Sequence, residues 1–361
     1  MKKIKFLFII VGIILLCGCG KKGNAENVIN TFTKKVNGVK SYNIVGTMEI
    51  INNEETYGYD VMVDYKYDDM YKVTLKNKTN DHEQVILKNK DGVYVVTPAL
   101  NKSFKFQSEW PNNGSQSYLL KSILKDIENT SDVKVDETKD NYIITANVNY
   151  PNNSNLITEK IYFDKKNNLK ELQVLNKDGI AVIKMKFDNI KYSVKFDDDN
   201  FELSSLISTN DCKGEENCST GNLESSESNE SSEESKTEES TSVLDNIVYP
   251  LYLPVDTHLS TKDIVSSDNG DRVIMTYAGA KPFMIIEETA SVSKEMEVTS
   301  VYGDPLLLSN AIGALSANSL EWHANNMEYY ITSTYLTSEE LMTIAESLNT
   351  ATVVEITNGT K

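Results

Sequence analysis

Two Ser-x-x-Lys spacings, Ser122-Ile123-Leu124-Lys125 and Ser291-Val292-Ser293-Lys294, are this chain's nearest approach to a nucleophile beside its base. On a helix that spacing stacks the two side chains, so the amine can take the hydroxyl proton during acyl attack. Ser267-Asp268-Asn269 matches a second element of the acyl-serine enzymes, but the third, Lys-Thr-Gly, is missing. Such short matches arise easily in a chain rich in Ser, Lys and Asn. The sequence has neither a Gly-x-Ser-x-Gly elbow nor a phosphate-cradling glycine loop. His82, His258 and His323 lie far apart without metal-ligand spacing, and each reads as a solvated surface histidine. Asp68-Asp69 and Asp197-Asp198-Asp199 lack the alternate-residue pattern of a calcium loop and read as solvated turns. Arg272 is the only arginine, which excludes a multi-arginine phosphate clamp. The residue types point away from catalysis, and they call for no metal or cofactor.

Cysteine carries the remaining chemistry. Lys2, Lys3 and Lys5 precede an apolar run from Phe6 to Leu16, too short to span a bilayer, and Leu16-Cys17-Gly18-Cys19 follows. This order resembles the lipobox of bacterial lipoproteins. The resemblance implies a signal peptide over residues 1–18, cleavage before Cys19 and a diacylglyceryl group on the Cys19 sulfur. Two acyl chains hold a protein firmly where one holds it marginally. The expected location is therefore the outer face of the cytoplasmic membrane, through a lipid anchor. An ordinary leader with chance cysteines is the alternative. Cys212 and Cys218 flank a polar pentapeptide in an oxidising compartment. They either close a small disulfide loop or remain two thiols; zinc would be short of ligands.

The chain has 361 residues and a formal charge of −17, which becomes −20 once Lys2, Lys3 and Lys5 leave with the leader. Such a chain will not bind nucleic acid or anionic lipid by charge. Its length suits two domains. After a tether at 19–25, Val28, Ile29, Phe32 and Val36 take a helical spacing that predicts a helix over Glu26–Val36. Period-two runs follow: Tyr42, Ile44, Met48 and Ile50, then Tyr57 to Tyr67 at alternate positions, then Tyr71, Val73 and Leu75. They predict antiparallel strands with one buried face, separated by turns at Asn52-Asn53, Asp91-Gly92, Lys166-Asn167-Asn168 and Asp178-Gly179. A second helix is expected over Gln116–Glu128. The first domain is thus an antiparallel sheet with covering helices over 26–207. Residues 208–242 are Ser- and Glu-rich and carry a net charge of −8, which reads as a disordered, solvated linker. A smaller α+β domain spans 243–361. It contains a hairpin across Asn325-Asn326 and a capping box at Thr337-Ser338-Glu339-Glu340.

The run from Asp91 to Pro111, followed by Ser117-Tyr118-Leu119-Leu120, combines strand, Pro98-centred turn, strand, Trp110-Pro111 and helix. It resembles the Gram-positive sporulation and germination lipoproteins of the YdcC and GerS type, a branch of the LolA-like family, over most of 26–205. Tyr252-x-Pro254, Tyr277, Leu320-x-Trp322 and the 338–348 helix are similar to an uncharacterised domain often attached to such lipoproteins. The resemblance implies an α+β fold: a LolA-like half-open antiparallel β-barrel with covering helices, plus the smaller domain. It implies a non-enzymatic protein-binding factor of sporulation or germination, with a peptidoglycan amidase as one candidate partner. A binder of lipid or lipoprotein acyl chains in the concave barrel is the alternative. Tyr94, Phe104, Phe106 and Trp110 are the candidate binding residues. For Trp110 the choice is a gate or partner contact against a packed aromatic near the barrel mouth.

Overall fold

The computed structural model describes residues 22–108, 110, 116–207, 246–267, 270–349 and 353–355. The expected leader, the acylated Cys19, the Cys212–Cys218 pair and the Ser/Glu-rich stretch lie outside the described residues. The first helix, α1, is Lys22–Gly38, so it begins inside the expected tether. Eleven strands follow: β1 Ser41–Asn52, β2 Glu55–Lys66, β3 Met70–Asn77, β4 Glu83–Asn89, β5 Gly92–Thr97, β6 Lys102–Phe106, β7 Lys134–Glu137, β8 Asn141–Asn147, β9 Leu156–Asp164, β10 Leu169–Asn176 and β11 Ala181–Tyr192. Helix α2, Leu120–Asn129, lies between β6 and β7. From residue 246 on come β12 Asn246–Val248, β13 Thr257–Ser267, β14 Gly270–Gly279, β15 Phe283–Thr289, β16 Glu297–Val301, β17 Asp304–Leu307, β18 Ile312–Leu315, β19 Ser319–Ala324 and β20 Met327–Thr332. Helix α3, Ser338–Asn349, and β21, Val353–Glu355, complete the chain.

Alternation builds the first sheet. Tyr42, Ile44, Met48 and Ile50 are buried on β1, and Tyr65, Val63 and Tyr59 stand opposite the first three on β2. Same-phase pairs of this kind are the unit of sheet stabilisation. A bulge at Val45/Gly46 brings β1 against β11 so closely that a Cβ on Gly46 would lie 2.2 Å from the Lys186 carbonyl oxygen, which requires glycine there. Val28, Phe32 and Val36 of α1 and Ile123, Leu124 and Ile127 of α2 cover this face and share its core. Phe32 meets Phe163 edge-on at 5.3 Å. Helix α2 starts later than expected, because Gln116 sits in a preceding turn, where its side chain accepts from the Trp110 indole at 2.5 Å. The strands β4 and β5 depart from the one-faced pattern. Val93 and Val95 join the helix-covered core, while Tyr94, Val85 and Leu87 pack beneath Phe201 and Leu206 on the other face.

The expectation of a strand-dominated α+β chain with few helices holds, but no barrel closes. The first sheet is open, in the order β16-β6-β5-β4-β3-β2-β1-β11-β10-β9-β8-β7. One of its ends is taken by β16, which comes from the C-terminal part and pairs in parallel with β6, Glu297 opposite Lys102 through Val301 opposite Phe106. The second sheet has seven strands in the order β13-β14-β15-β20-β19-β18-β17. Helix α3 lies in its core through Leu341, Ile344, Ala345 and Leu348, with Trp322 and Ile331. Two local signals form as expected. Asn325 and Asn326 take φ of 52° and 61°, the left-handed pair that a two-residue hairpin needs. Thr337 Oγ1 accepts from the Glu340 amide at 3.2 Å, and Glu340 Oε2 accepts from the Thr337 amide at 3.0 Å.

Polar contacts bind the sheets along a seam. Gln84, buried on β4, accepts from the Ile312 amide at 2.6 Å and donates to the Ile312 carbonyl at 3.2 Å. The side-chain amide thus serves Ile312 as a neighbouring strand would. Tyr59 donates to the Ser309 carbonyl at 2.6 Å, and Asn80 donates to Asn325 at 3.0 Å. Replacing Gln84 with Ala leaves two buried backbone groups unpaired. We expect a loss of about 2–4 kcal/mol, read as a lower midpoint in urea unfolding, with faster amide exchange at Ile312. Thr337→Ala should cost about 1 kcal/mol by loss of the cap, on the same assay.

Candidate functional site: a cleft where the two sheets meet

The sequence-selected aromatics are all in the interior, on two different faces. Tyr94 packs on the Phe201 side, with Lys105 Nζ 5.3 Å from its ring centre. Phe104, Phe106 and Trp110 belong to the helix-covered core. Trp110 is 2% exposed and ends an aromatic ladder across three strands: Tyr42 to Tyr65 at 4.7 Å, Tyr65 to Tyr71 at 4.9 Å, and Tyr71 to Trp110 edge-on at 5.2 Å. Lys88 donates to the Trp110 carbonyl and, at 2.8 Å, to Asp69. Lys121 also donates to Asp69, at 3.0 Å. Burial alone would raise the Asp69 pKa, but the hydrogen bonds from Lys88 and Lys121 outweigh it and hold it below the usual value. Asp69 is therefore an ion-pair anchor for the segment around Trp110.

Two histidines correct the sequence reading. His258 is exposed, but His82 is partly buried and His323 is 3% exposed. His323 stacks on Phe104 at 4.9 Å, with Thr97 Oγ1 3.4 Å from its Nδ1. Burial, then the Lys102 charge, push its pKa down to about 3, so it is neutral at neutral pH. The 3.9 Å separation from Glu328 is accordingly no ion pair; Glu328 takes its hydrogen bond from Lys102 instead. His323 reads as a seam residue, and its neighbours come from the other part of the chain. The Ser-x-x-Lys motifs assemble nothing: Lys125 and Lys294 are both exposed. Among the described residues, no group of three or more His, Cys, Asp or Glu could hold a metal ion.

A cleft of about 550 Å³ opens at the seam. Its walls come from the β1–β2 tip, the 150–156 turn, the start of β11, residues 251–252, residues 306–309 and helix α3. Leu156, Ile183, Leu306, Leu307 and Met342 supply apolar surface, and asparagines at 52, 53, 152, 153 and 155 supply amides. The turn is tied to α3, since the Ser154 amide donates to Glu339 at 2.7 Å. Glu346 accepts from Asn52 at 2.9 Å and from the Ser309 amide at 2.8 Å, so its carboxylate is held at the wall from both halves of the chain. Tyr150 donates to Glu159 at 2.6 Å behind the wall. Glu159 is fully buried, and burial, then the Asp126 charge, push its pKa well above the ordinary carboxyl value. The lip carries Leu251, 67% exposed. Its approach strand β12 is held by Glu287, which accepts from the Val248 amide at 3.0 Å. No local pattern marks this site. Its asparagines read as turns, and Glu346 lies on the helix face away from the apolar stripe.

A family model described as sporulation protein YdcC-like matches residues 1–201. The chain is similar to sporulation protein YdcC of Bacillus subtilis (strain 168), at 32% identity over 354 residues, covering 96% of this chain and 98% of that protein. Among solved structures, it is similar to the MucA/MucB complex of Pseudomonas aeruginosa, at 9% identity and a TM-score of 0.31, covering 92% of this chain and 99% of that one. A structure of the CwlD amidase of Clostridioides difficile in complex with the GerS lipoprotein matches at 17% identity and a TM-score of 0.21, over 48% of this chain and 99% of that one. A LolA superfamily protein from Nitrosomonas europaea matches at 10% identity and a TM-score of 0.30, over 50% and 98%.

The carboxyl that holds the lip gives the fold a pH response. Burial pushes Glu287 from 4.5 up to about 8. Below about pH 4.5 folded and unfolded chains both carry the proton, so the group contributes no pH dependence. Between 4.5 and 8 the unfolded chain ionises while the folded one does not, so stability falls as pH rises. The slope from this group is at most about 1.4 kcal/mol per pH unit. Glu287→Gln keeps an acceptor for Val248 and removes the titration. Urea unfolding at pH 5, 6, 7 and 8 should show a shallower decline in the variant.

Proposed function

The chain belongs to the YdcC-like sporulation protein family, and on that premise we propose that it is a lipid-anchored envelope factor that acts without catalysis, by holding another protein. The carrying observation is the filled inner face of the first sheet. Phe32, Leu119, Leu120 and Ile123 occupy that face together with the aromatic ladder. A carrier of acyl chains needs that space empty, and here the chain's own side chains fill it. What the protein offers to others is then its surface and the seam cleft, on a LolA-like scaffold. A peptidoglycan amidase, the partner class that the sequence resemblance implies, is the first candidate.

Anchoring at Cys19 fits this role. Two residues, Gly20 and Lys21, separate it from the start of α1 at Lys22, three steps that reach at most roughly 10 Å. No described helix is long and apolar enough to cross a membrane, so the lipid would supply the attachment. With the anchor in place the whole body stays beside the outer face of the cytoplasmic membrane, and a partner is recruited there.

Cys19→Ser should release the protein from the membrane fraction into the medium, read by immunoblot; full retention would remove the anchor. Cross-linking and affinity capture from sporulating cells should recover a stoichiometric protein partner. Recovery of the bait alone, under conditions that preserve known envelope complexes, would overturn the protein-binding role.

A further inference from the structure

Resting on the protein-binding reading, we propose that the seam cleft is the docking site for an extended peptide segment of the partner that alternates apolar and basic residues. Four features of the cleft specify that chemistry. Its volume, about 550 Å³, lies within the range of built ligand sites. Its floor of Leu156, Ile183, Leu306, Leu307 and Met342 accepts apolar side chains. Its rim of asparagine amides offers donors and acceptors side by side, which matches the alternating N–H and C=O groups of a peptide backbone. Asn52 Nδ2 serves Glu346 and Asn153 Oδ1 serves the Asn155 amide, and an acyl chain would use none of the amide groups that remain.

Charge sets the remaining choice. Among the described residues, Glu346 is the only acidic or basic side chain that lines the cleft. Its oxygens accept from Asn52 and the Ser309 amide, which fixes the negative charge at the wall. Glu339 is bonded to the 150–156 turn at Ser154, and that hydrogen bond holds its pKa below the ordinary value. The whole chain carries −17. A segment bearing Lys or Arg is attracted; an acidic segment, a phosphate or a free fatty carboxylate is repelled. Leu251, 67% exposed, extends the apolar surface outward at the opening. Both halves of the chain line the cleft, so an occupant would touch both at once.

The test uses the full mature chain carrying Cys19→Ser. Two rhodamine-labelled, end-capped hexapeptides, one alternating Lys with Leu and one alternating Glu with Leu, are titrated by fluorescence anisotropy. The Lys peptide should saturate, about tenfold or more tighter than the Glu peptide. Met342→Trp fills the cleft, and Thr343→Lys, at an exposed position on α3, offsets the Glu346 charge; each should weaken the Lys peptide about tenfold. Thr343→Lys keeps the test decisive if Met342→Trp does not fold. Lys-peptide binding that both variants leave unchanged would place it elsewhere on the acidic surface and overturn the proposal. So would failure of the wild-type chain to bind it. Cis-parinaric acid binding that Met342→Trp abolishes, with no peptide binding, would make the cleft a lipid site instead. If a partner captured from cells is still captured by both variants, the docking site is wrong and the protein-binding role stands. If the wild-type chain captures none, the role itself fails.

Discussion

The parallel pairing of β16 with β6, clasped by Gln84 on Ile312, is the constraint on which the rest of the architecture depends. Together with the Tyr59–Ser309, Asn52–Glu346 and Lys102–Glu328 contacts, it joins two sheets that lie on either side of a long acidic stretch. With it, the ladder of the first sheet continues into backbone from the second part. The join extends past the strands: the Ser293 amide donates to the Leu100 carbonyl at 2.9 Å, and Asn101 Nδ2 donates to the Ser293 carbonyl at 3.0 Å. Asn101 can do this because it sits at φ 51°, just after the Pro98–Leu100 turn, a conformation that asparagine tolerates. A local turn thus prepares a long-range joint.

The seam is polar, and that shapes its energetics. Buried amides and carboxyls contribute stability only when paired, and leaving one unpaired costs more than the pair contributes. Gln84 is paired at both ends of its amide. Glu287 and Glu159 differ: burial raises their pKa by disfavouring charge, and one oxygen of each has no hydrogen-bond partner among the described residues. His323 follows the same logic with opposite sign and stays neutral between Phe104 and Lys102. The seam therefore holds few net charges despite the acidic chain around it, and Glu346 is the acid that the cleft displays.

Much of this was legible where the signal was local. The phases of β1, β2 and β3, the Asn325-Asn326 hairpin and the Thr337–Glu340 cap each depend on residues within a few positions of one another. Two turns fell one residue away from expectation. Asn52 pairs with Glu55, so the loop is Asn53-Glu54, and Asn89 pairs with Gly92, so the loop is Lys90-Asp91. The parallel partner of β16 was not legible, because Glu297–Val301 alternates weakly and its neighbour lies in the other part of the chain. For the same reason His323 read as solvated, since Phe104, Thr97 and Lys102 are invisible from its own segment. Tyr94 and Phe104 were named together as candidate binding residues, yet β4 and β5 are covered on both sides, and the two rings lie on opposite faces. Gln84, a polar residue opening an apolar run in β4, was the one visible hint of the clasp.

The joint also changes what a break in the backbone would do. Residues 208–245 connect two ends that are each fixed by other contacts, so a protease cutting there would not separate the halves. The nicked protein should run as one species in native gels and as two fragments after denaturation. The pieces should recombine when mixed from separate expression, as complementing fragments do, because the information for assembly sits in β16 and its groove and not in covalent continuity.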